Sequence, residues 1–362
     1  MATKKTTSTG AKKVVKKKSS KKKKNRIILF TVEIIILIIL VIVLYGVMKT
    51  SQVEKISIDE SEIIINENVV ENEDMLGYWN IALFGVDARN DSLGKGNRSD
   101  TIIIASINLD TGDVKLLSVY RDTYLNLGND TYNKANTAYA QGGPEQAINM
   151  LNMNLDMNIT DYVTIGFRGL IDTIDALGGI YVDVDSAEID HLNNYQITMA
   201  EDLQKAYTPV TTTGYQLLDG MQATAYCRIR YTAGDDFKRA ERQREVIEAI
   251  TEVAQGASVS TLNAVLDSVL PYVSTSLDVD EMADGLANIT KYEIVASDGF
   301  PFEEYRTTGT VGAKGSCVIP VDLEVNVAEL HSFFFGGEAY TMSSAVKDYS
   351  AQVSSDTGVY AE

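Results

Sequence analysis

Apolar positions are unevenly spread along the 362 residues. The first block is continuous. Ile27 to Met48 reads IILFTVEIIILIILVIVLYGVM, 22 residues with a single charge at Glu33. About 20 predominantly apolar residues suffice for a helix to cross a bilayer, so this pattern predicts one transmembrane helix. Glu33 sits near the lysine-rich end, where a charge costs less than at the bilayer centre. Signal-peptide apolar regions are shorter and end in small residues. The exit here reads Tyr-Gly-Val-Met-Lys, which predicts an uncleaved anchor.

Residues 49–77, rich in Glu, Asn and Ile, read as a stalk. From Tyr78 onward, short apolar runs alternate with helical periodicities. Strands are predicted at Ile81–Val86, Thr101–Ile107 and Val114–Val119, the last two joined by the turn Leu109-Asp-Thr-Gly112. Their near-continuous apolar character is that of strands buried on both faces. Gly142-Gly-Pro144 opens a helix with Pro144 at its first position. A strand follows at Ile159–Phe167, then a helix at Gly169–Leu177 stopped by Gly178-Gly179, then a strand at Ile180–Val184. Further strand and helix patterns occupy Gln222–Tyr231 and Phe237–Ala254. The alternation predicts an α/β fold, a three-layer α/β/α sandwich around a central mixed β-sheet, preceded by the transmembrane helix. Residues 260–337 continue without a linker, so 78–337 reads as one domain. Residues 338–362 are poor in large apolar side chains and read as a flexible C-terminal tail.

Charge divides the chain more sharply than its sum suggests. The net charge is −18, yet residues 1–26 carry eleven Lys, one Arg and no acid, while residues 50–362 carry 19 basic and 49 acidic side chains. The positive-inside rule places the Lys-rich tail, 1–26, in the cytoplasm and everything after Lys49 outside the cell membrane. The tail is also attracted to anionic lipid. The acidic body argues against nucleic acid as a partner. Two histidines, His191 and His331, argue against a Ser-His-Asp triad and against His-based metal sites. Two cysteines, Cys227 and Cys317, are too few for a disulfide scaffold, and the sequence leaves their pairing open.

Polar residues converge at one end of the predicted sheet. A two-residue loop at Asp110-Thr111 sets Asp100 opposite Arg121. The strand ending at Asp87 finishes shortly before Asp100, so a neighbouring position is expected. Asp87, Arg98, Asp100 and Arg121 then share one sheet end. Strand alternation over Tyr226–Tyr231 places Arg228 and Arg230 on one face, costly unless exposed or facing anions. In the following helix, Val246, Ile250 and Val253 form an apolar stripe that turns polar at Gln243 and Arg239 toward the helix start. Two carboxylates repel by about 4 kcal/mol at about 4 Å and an effective dielectric near 20. A Mg²⁺ ion or a facing Arg relieves this, and Arg forks match phosphate oxygens. The set suggests a magnesium-assisted site for a di-anionic phosphate ligand. An Asp–Arg ion-pair network closing a sheet edge is the competing reading.

The ordered motifs resemble the LytR-CpsA-Psr family of cell-wall glycopolymer ligases over roughly 78–337. They run from Asn80-Ile-Ala-Leu-Phe-Gly-Val-Asp-Ala-Arg89 through Arg98-Ser-Asp-Thr101, Ser118-Val-Tyr-Arg-Asp-Thr123 and Lys134-Ala-Asn136. They continue through Asp161-Tyr-Val, Asp175-Ala-Leu-Gly-Gly179, Leu218-Asp-Gly220, Tyr226-Cys-Arg-Ile-Arg230 and Asp236-Phe-Lys-Arg-Ala-Glu-Arg-Gln243. The resemblance implies a phosphotransferase that moves a glycopolymer from a polyprenyl-pyrophosphate carrier to peptidoglycan as a phosphodiester. It implies that Asp87 and Asp100 hold Mg²⁺ or orient the arginines. Arg98, Arg121, Lys134, Arg228, Arg230, Arg239 and Gln243 would grip the pyrophosphate, and Arg121 would stabilise transition-state charge. The chain departs from the usual pattern at Tyr120 (usually Pro), at Ala135 and at Arg244. A Mg²⁺-dependent carrier hydrolase and a non-enzymatic wall-binding or regulatory module are the alternatives. A polyprenyl chain needs an apolar cleft. Two stripes after Pro144 are candidates, Ile148, Leu151 and Leu155, and Met150, Met153 and Met157, with ordinary core as the simpler reading of both.

Overall fold

Six strands form a mixed central sheet. They are β1 (Tyr78–Val86), β2 (Ser99–Asn108), β3 (Asp113–Val119), β6 (Asp161–Gly166), β9 (Val273–Thr275) and β10 (Glu293–Phe300), in the order β10-β3-β2-β1-β6-β9. The computed structural model describes residues 58–361 apart from 59, 71, 89–91, 231–233, 279–280, 283–284, 286–287 and 338. The expected tail over 1–26, the span over 27–48 and the start of the stalk lie outside the described residues. Among the described residues, no helix is long and apolar enough to cross a membrane.

β1, β2 and β3 are antiparallel neighbours, and β6 and β10 join them in parallel on either side. Ile103 pairs with Ser118 and Ile104 with Leu117, the register expected from the Asp110-Thr111 turn. Helix α1 (Asn136–Leu155) covers one face of the sheet, together with α7 (Leu323–Phe335). Helices α2 (Phe167–Leu177) and α5 (Asp235–Gly256) cover the other. Between α2 and α5 in the chain lie α3 (Ser186–Leu203), α4 (Gly220–Tyr226) and the hairpin of β7 (Ile180–Val184) and β8 (Gly214–Leu218). After α5 comes α6 (Val259–Val269), packed on α2. Two small hairpins, β4–β5 (Tyr124–Asn126, Tyr132–Lys134) and β11–β12 (Arg306–Thr310, Ser316–Pro320), lie outside the central sheet. A terminal helix, α8 (Ser344–Thr357), closes the chain.

Several expectations need correction. Gln222–Tyr231 is not a strand. Asp219 and Gln222 form a reciprocal cap, with Gln222 N donating to Asp219 Oδ1 at 2.8 Å and Asp219 N to Gln222 Oε1 at 2.9 Å, and the chain turns into α4. The residues 338–362 do not form a flexible tail throughout, because α8 buries Val346 and Val353 against the core. Its start is capped by Ser343, whose Oγ accepts from Val346 N at 3.1 Å. The end of the stalk is also part of the fold, with Val69 and Met75 buried in the main core. α1 begins earlier than Pro144. Its first segment starts at Asn136 and breaks at Gly143, whose φ of 73° only glycine adopts without strain, and Pro144 then opens the second segment. Ile180–Val184 is a strand, but it pairs with β8 instead of joining the central sheet. Cys227 and Cys317 are both buried and free.

Candidate active site

β1, β2 and β6 present alternate side chains to α2 and α5, and they do not fill the space. Leu83, Ile103, Val163 and Ile165 from the sheet, Leu170 from α2, and Val246, Ile247 and Ile250 from α5 line a cavity of about 490 Å³. Its lining is polar where β1 and β2 meet the start of α5. There Asp87, Asp100, Arg228, Arg230, Arg239 and Gln243 reach the same space. The apolar stripe of α5 that becomes polar at Gln243 and Arg239 therefore runs along this cavity, as its sequence implies.

Ion pairs tie the polar end together. Arg121 donates from Nη1 to Asp100 Oδ1 at 2.8 Å, and its Nη2 lies 3.4 Å from Asp236 Oδ2. Arg230 reaches Asp100 Oδ2 at 3.6 Å and Asp236 Oδ1 at 3.7 Å. Arg239 Nη1 lies 3.3 Å from Asp236 Oδ1, and its Nη2 donates to the Asp100 carbonyl at 3.2 Å. Burial works to raise the Asp100 carboxyl, but Arg121 chiefly, with Arg239 and Arg230, holds it below the ordinary range. Arg121 is opposed by its own burial and raised overall by Asp100 and Asp236. Arg239 behaves differently. Burial first, then the Arg121 charge, bring it down to about 10. Its Nε is buried and has no hydrogen-bond partner.

Arg121, Arg230 and Arg239 thus meet Asp100 and Asp236, Arg121 also lies 4.0 Å from Asp122, and one buried donor, Arg239 Nε, is left unused. A closed ion-pair network balances its charges and satisfies its donors. This one leaves the Arg239 donor unused, and Arg228 at the same end has no carboxylate partner among the described residues, which favours an anion at the cavity's polar end. The first turns of α5 add the positive end of a helix.

The structure brings most of the residues singled out in the sequence to this end of the cavity, together with one that was not. Asp87, Asp100, Arg228, Arg230, Arg239 and Gln243 line the cavity, and Arg121 contacts it through Asp100. Arg228 does not share a strand face with Arg230. It follows α4 in a turn, and its guanidinium stacks 4.4 Å from the Phe167 ring centre and 5.4 Å from that of Tyr195. Arg98 is exposed in the connection before β2 and does not line the cavity. Lys134 pairs with Asp122 at 3.3 Å and also stands off the lining. Asp236, to which no role was given, is the hub that touches Arg121, Arg230 and Arg239. Its signal was an acid in the first turn of a helix whose next turns carry Arg239 and Gln243. The stripes after Pro144 are core. Ile148, Leu151, Leu155, Met150 and Met157 are fully buried on the opposite face of the sheet, and Met153 is half-buried.

The unusual Tyr120 has a local partner set. Its ring meets Phe237 edge-on with centroids 4.7 Å apart, and its hydroxyl accepts from Arg306 Nη1 at 3.1 Å. Arg306 also lies 4.1 Å from the Phe237 ring centre. A Cβ at Gly299 would collide with the Tyr120 hydroxyl, so glycine there leaves the room the tyrosine needs. Tyr120 precedes Arg121 and Phe237 follows Asp236, so this contact braces the Arg121–Asp236 pair.

Among the described residues, no group of three or more His, Cys, Asp or Glu side chains is arranged to hold a metal by itself. Asp87 and Asp100 line one cavity, and Asp87 makes no ion pair with a described residue. One or two carboxylates completed by phosphate oxygens is the usual way Mg²⁺ is held; Asp87 supplies for it a carboxylate unpaired among the described residues, and Asp100 one that is shared with Arg121 and Arg230.

The LytR_cpsA_psr family profile matches residues 40–321. A polyisoprenyl-teichoic acid–peptidoglycan teichoic acid transferase, TagU, of Halalkalibacterium halodurans is 36% identical over 207 residues, covering 56% of this chain and 62% of that protein. The chain thus spans less than two thirds of that relative's length. Biofilm regulatory protein A of Streptococcus mutans is 29% identical over 308 residues, 75% of this chain and 73% of that protein. Among solved structures, a transcriptional regulator from Enterococcus faecalis is similar with a TM-score of 0.59 and 27% identity, covering 79% of this chain and 97% of that one. TagT (YwtF) with bound octaprenyl pyrophosphate lipid shares the fold, with a TM-score of 0.51, 19% identity, and coverage of 80% and 94%.

Proposed function

The chain belongs to the LytR-CpsA-Psr family, and we propose that it is a membrane-anchored phosphotransferase. In this reading it moves a glycopolymer from a polyprenyl-pyrophosphate carrier to peptidoglycan, outside the cell. One observation carries the reading: an apolar cavity ends in clustered guanidiniums with a buried, unused Arg239 donor. A ligand with an apolar tail and a di-anionic head satisfies both parts. The TagU relatives are named for such a transfer, and TagT was solved with a polyprenyl pyrophosphate.

The prenyl chain enters between the sheet and α2/α5, and the pyrophosphate meets Arg121, Arg228, Arg230, Arg239 and Gln243. An acceptor hydroxyl attacks the phosphorus that bears the glycopolymer. A new P–O bond forms, the bridging P–O bond breaks, and polyprenyl phosphate leaves. The hydroxyl proton passes to a carboxylate at the same end of the cavity. Arg121, fixed between Asp100 and Asp236, is positioned to stabilise the charge that develops on the equatorial oxygens. Asp87 and Asp100 would hold Mg²⁺, which when bound neutralises pyrophosphate charge. Span 27–48 anchors the domain, and the Lys-rich residues 1–26 stay on the cytoplasmic side against anionic lipid.

The test uses the full chain in detergent with a short-chain polyprenyl-pyrophosphate oligosaccharide and a peptidoglycan oligomer, with and without Mg²⁺. A phosphodiester-linked product is expected, falling on the order of 10²–10³-fold in Arg121→Ala. Carrier cleavage without transfer would instead make the protein a hydrolase. Sugar-lipid binding that persists in chelator without turnover would make it a binding module.

A further inference from the structure

The β7–β8 hairpin has a second face that the transfer site does not use. Its inner side chains, Ile180, Val182, Val184 and Leu218, are buried in the smaller core. Its outer face carries Tyr181, Tyr215 and Leu217, which are 50%, 68% and 51% exposed. The two tyrosine rings stack with centroids 5.3 Å apart and 20° between planes. Nothing in the packing of the hairpin requires aromatic side chains there, and exposed apolar surface of this kind marks interaction sites.

The tyrosines border a groove of about 650 Å³ between the hairpin and α5. Its far wall is the side of α5 carrying Lys238, Arg242 and Glu245. Arg242 is committed to Glu188 at 2.7 Å and Lys238 to Glu241 at 2.7 Å, so neither cation of the lining is unpaired. Glu245 Oε2 accepts from the Tyr226 hydroxyl at 2.7 Å, and Asp183 lies exposed on the hairpin beside Tyr215. Aromatic faces combined with carboxylate acceptors and one amine match the chemistry of a sugar ring, whose apolar C–H face stacks while its hydroxyl and amide groups donate. The acidic lining disfavours both a phosphate-bearing polymer and an anionic lipid surface.

We propose that this groove is a saccharide subsite, in which Tyr181 and Tyr215 stack on an uncharged, N-acetylated glycan and Asp183 and Glu245 accept its hydroxyl and amide hydrogens. The groove lies on the neighbouring side of α5 from the transfer cavity. Lys238, Arg242 and Glu245 face the groove, whereas Arg239, Gln243 and Val246 line the cavity. A helix with its side chains is about 10–12 Å across, a distance that an oligosaccharide spans. The glycan is therefore placed as the acceptor strand, an assignment that rests on the function proposed above. Binding by itself does not depend on that function.

The probe is chitotetraose, titrated calorimetrically into the full chain in detergent, with maltotetraose and a glycerol-phosphate oligomer as comparisons. Chitotetraose is expected to bind in preference to both. The Tyr181→Ala/Tyr215→Ala double variant should lose at least about tenfold in affinity with an unchanged melting temperature, and Tyr215→Phe should retain binding. In the transfer assay the double variant should raise KM for the acceptor with kcat unchanged. Absence of chitotetraose binding, equal affinity in the double variant, or preference for the phosphate oligomer would overturn the proposal. Chitotetraose binding in a chain that shows no transfer would uphold the subsite and sink the transferase reading alone.

Discussion

On one face of the central sheet, Ala82, Phe84, Ile102, Ile104 and Leu117 pack against Ile148, Leu151, Leu155 and Leu330. On the other, Leu83, Ile103, Val163 and Ile165 look into a cavity of about 490 Å³ under α2 and α5. The same strands supply both faces, and both are apolar. The difference lies in what stands opposite. α1 and α7 bring large side chains to full contact, while α2 and α5 stand off and place charged groups at the polar end. Apolar patterning therefore reports burial against something, and here the chain itself leaves one of the two faces hollow.

Mutations that swap the character of the faces test this most strongly. Leu151→Ala opens a void on the packed face and should cost about 2–5 kcal/mol by chemical denaturation, with turnover per folded molecule retained. Leu170→Trp fills the hollow face. It should reduce retention of a polyprenyl-pyrophosphate ligand about 100-fold, or roughly 2.8 kcal/mol, without lowering the melting temperature. If the tryptophan destabilised the chain as an overpacked core residue does, the hollow would be core and the comparison would fail.

A pH series distinguishes the faces by a different route. His331, on α7 of the packed face, stacks on Tyr340 with centroids 3.5 Å apart, and its Nε2 meets the Leu155 carbonyl at 3.1 Å. Burial pushes it down to about 4, with the Leu155 carbonyl and Asp156 opposing. The unfolded chain takes up this proton near pH 6.5 and the folded chain only near 4, so stability is lost as pH falls through that window. The loss should reach about 2 kcal/mol by pH 5. In His331→Gln that pH-dependent component should vanish from denaturation midpoints measured at pH 7 and pH 5. The smallest effect concerns the rim of the hollow face. Phe237→Ala removes the brace between Tyr120 and the start of α5, and should lower kcat about tenfold (about 1.4 kcal/mol). Phe237→Tyr should restore most of the rate, an outcome that loss of stability alone would not produce.

Much of this arrangement is legible along the chain. The β2–β3 register followed from one turn, and with it the Asp100–Arg121 pair. The polar end of the α5 stripe followed from helical spacing. Other features were written in signals outweighed by a neighbouring pattern. Asp219-Gly-Met-Gln222 is a helix cap, but the alternating side chains after it suggested a strand. α8 has few large residues, yet Val346 and Val353 sit two turns apart on one helical face and suffice to dock it. Asp236 was visible as an acid and became a hub only when the turn after β3, the segment after α4 and α5 met around it.

The sequence by itself determined β1, β2, β3 and β6, the helices α1, α2 and α5 in outline, the class of fold and the charged groups gathered near Arg121, because these depend on local periodicity and on short connections. Only the tertiary structure decided which face of the sheet is hollow, that Arg98 and Lys134 stand away from the cavity, and that Arg239 keeps a buried donor unused. Those outcomes depend on how far apart packed elements come to rest and on which charges find partners across long stretches of chain. Periodicity carries neither quantity.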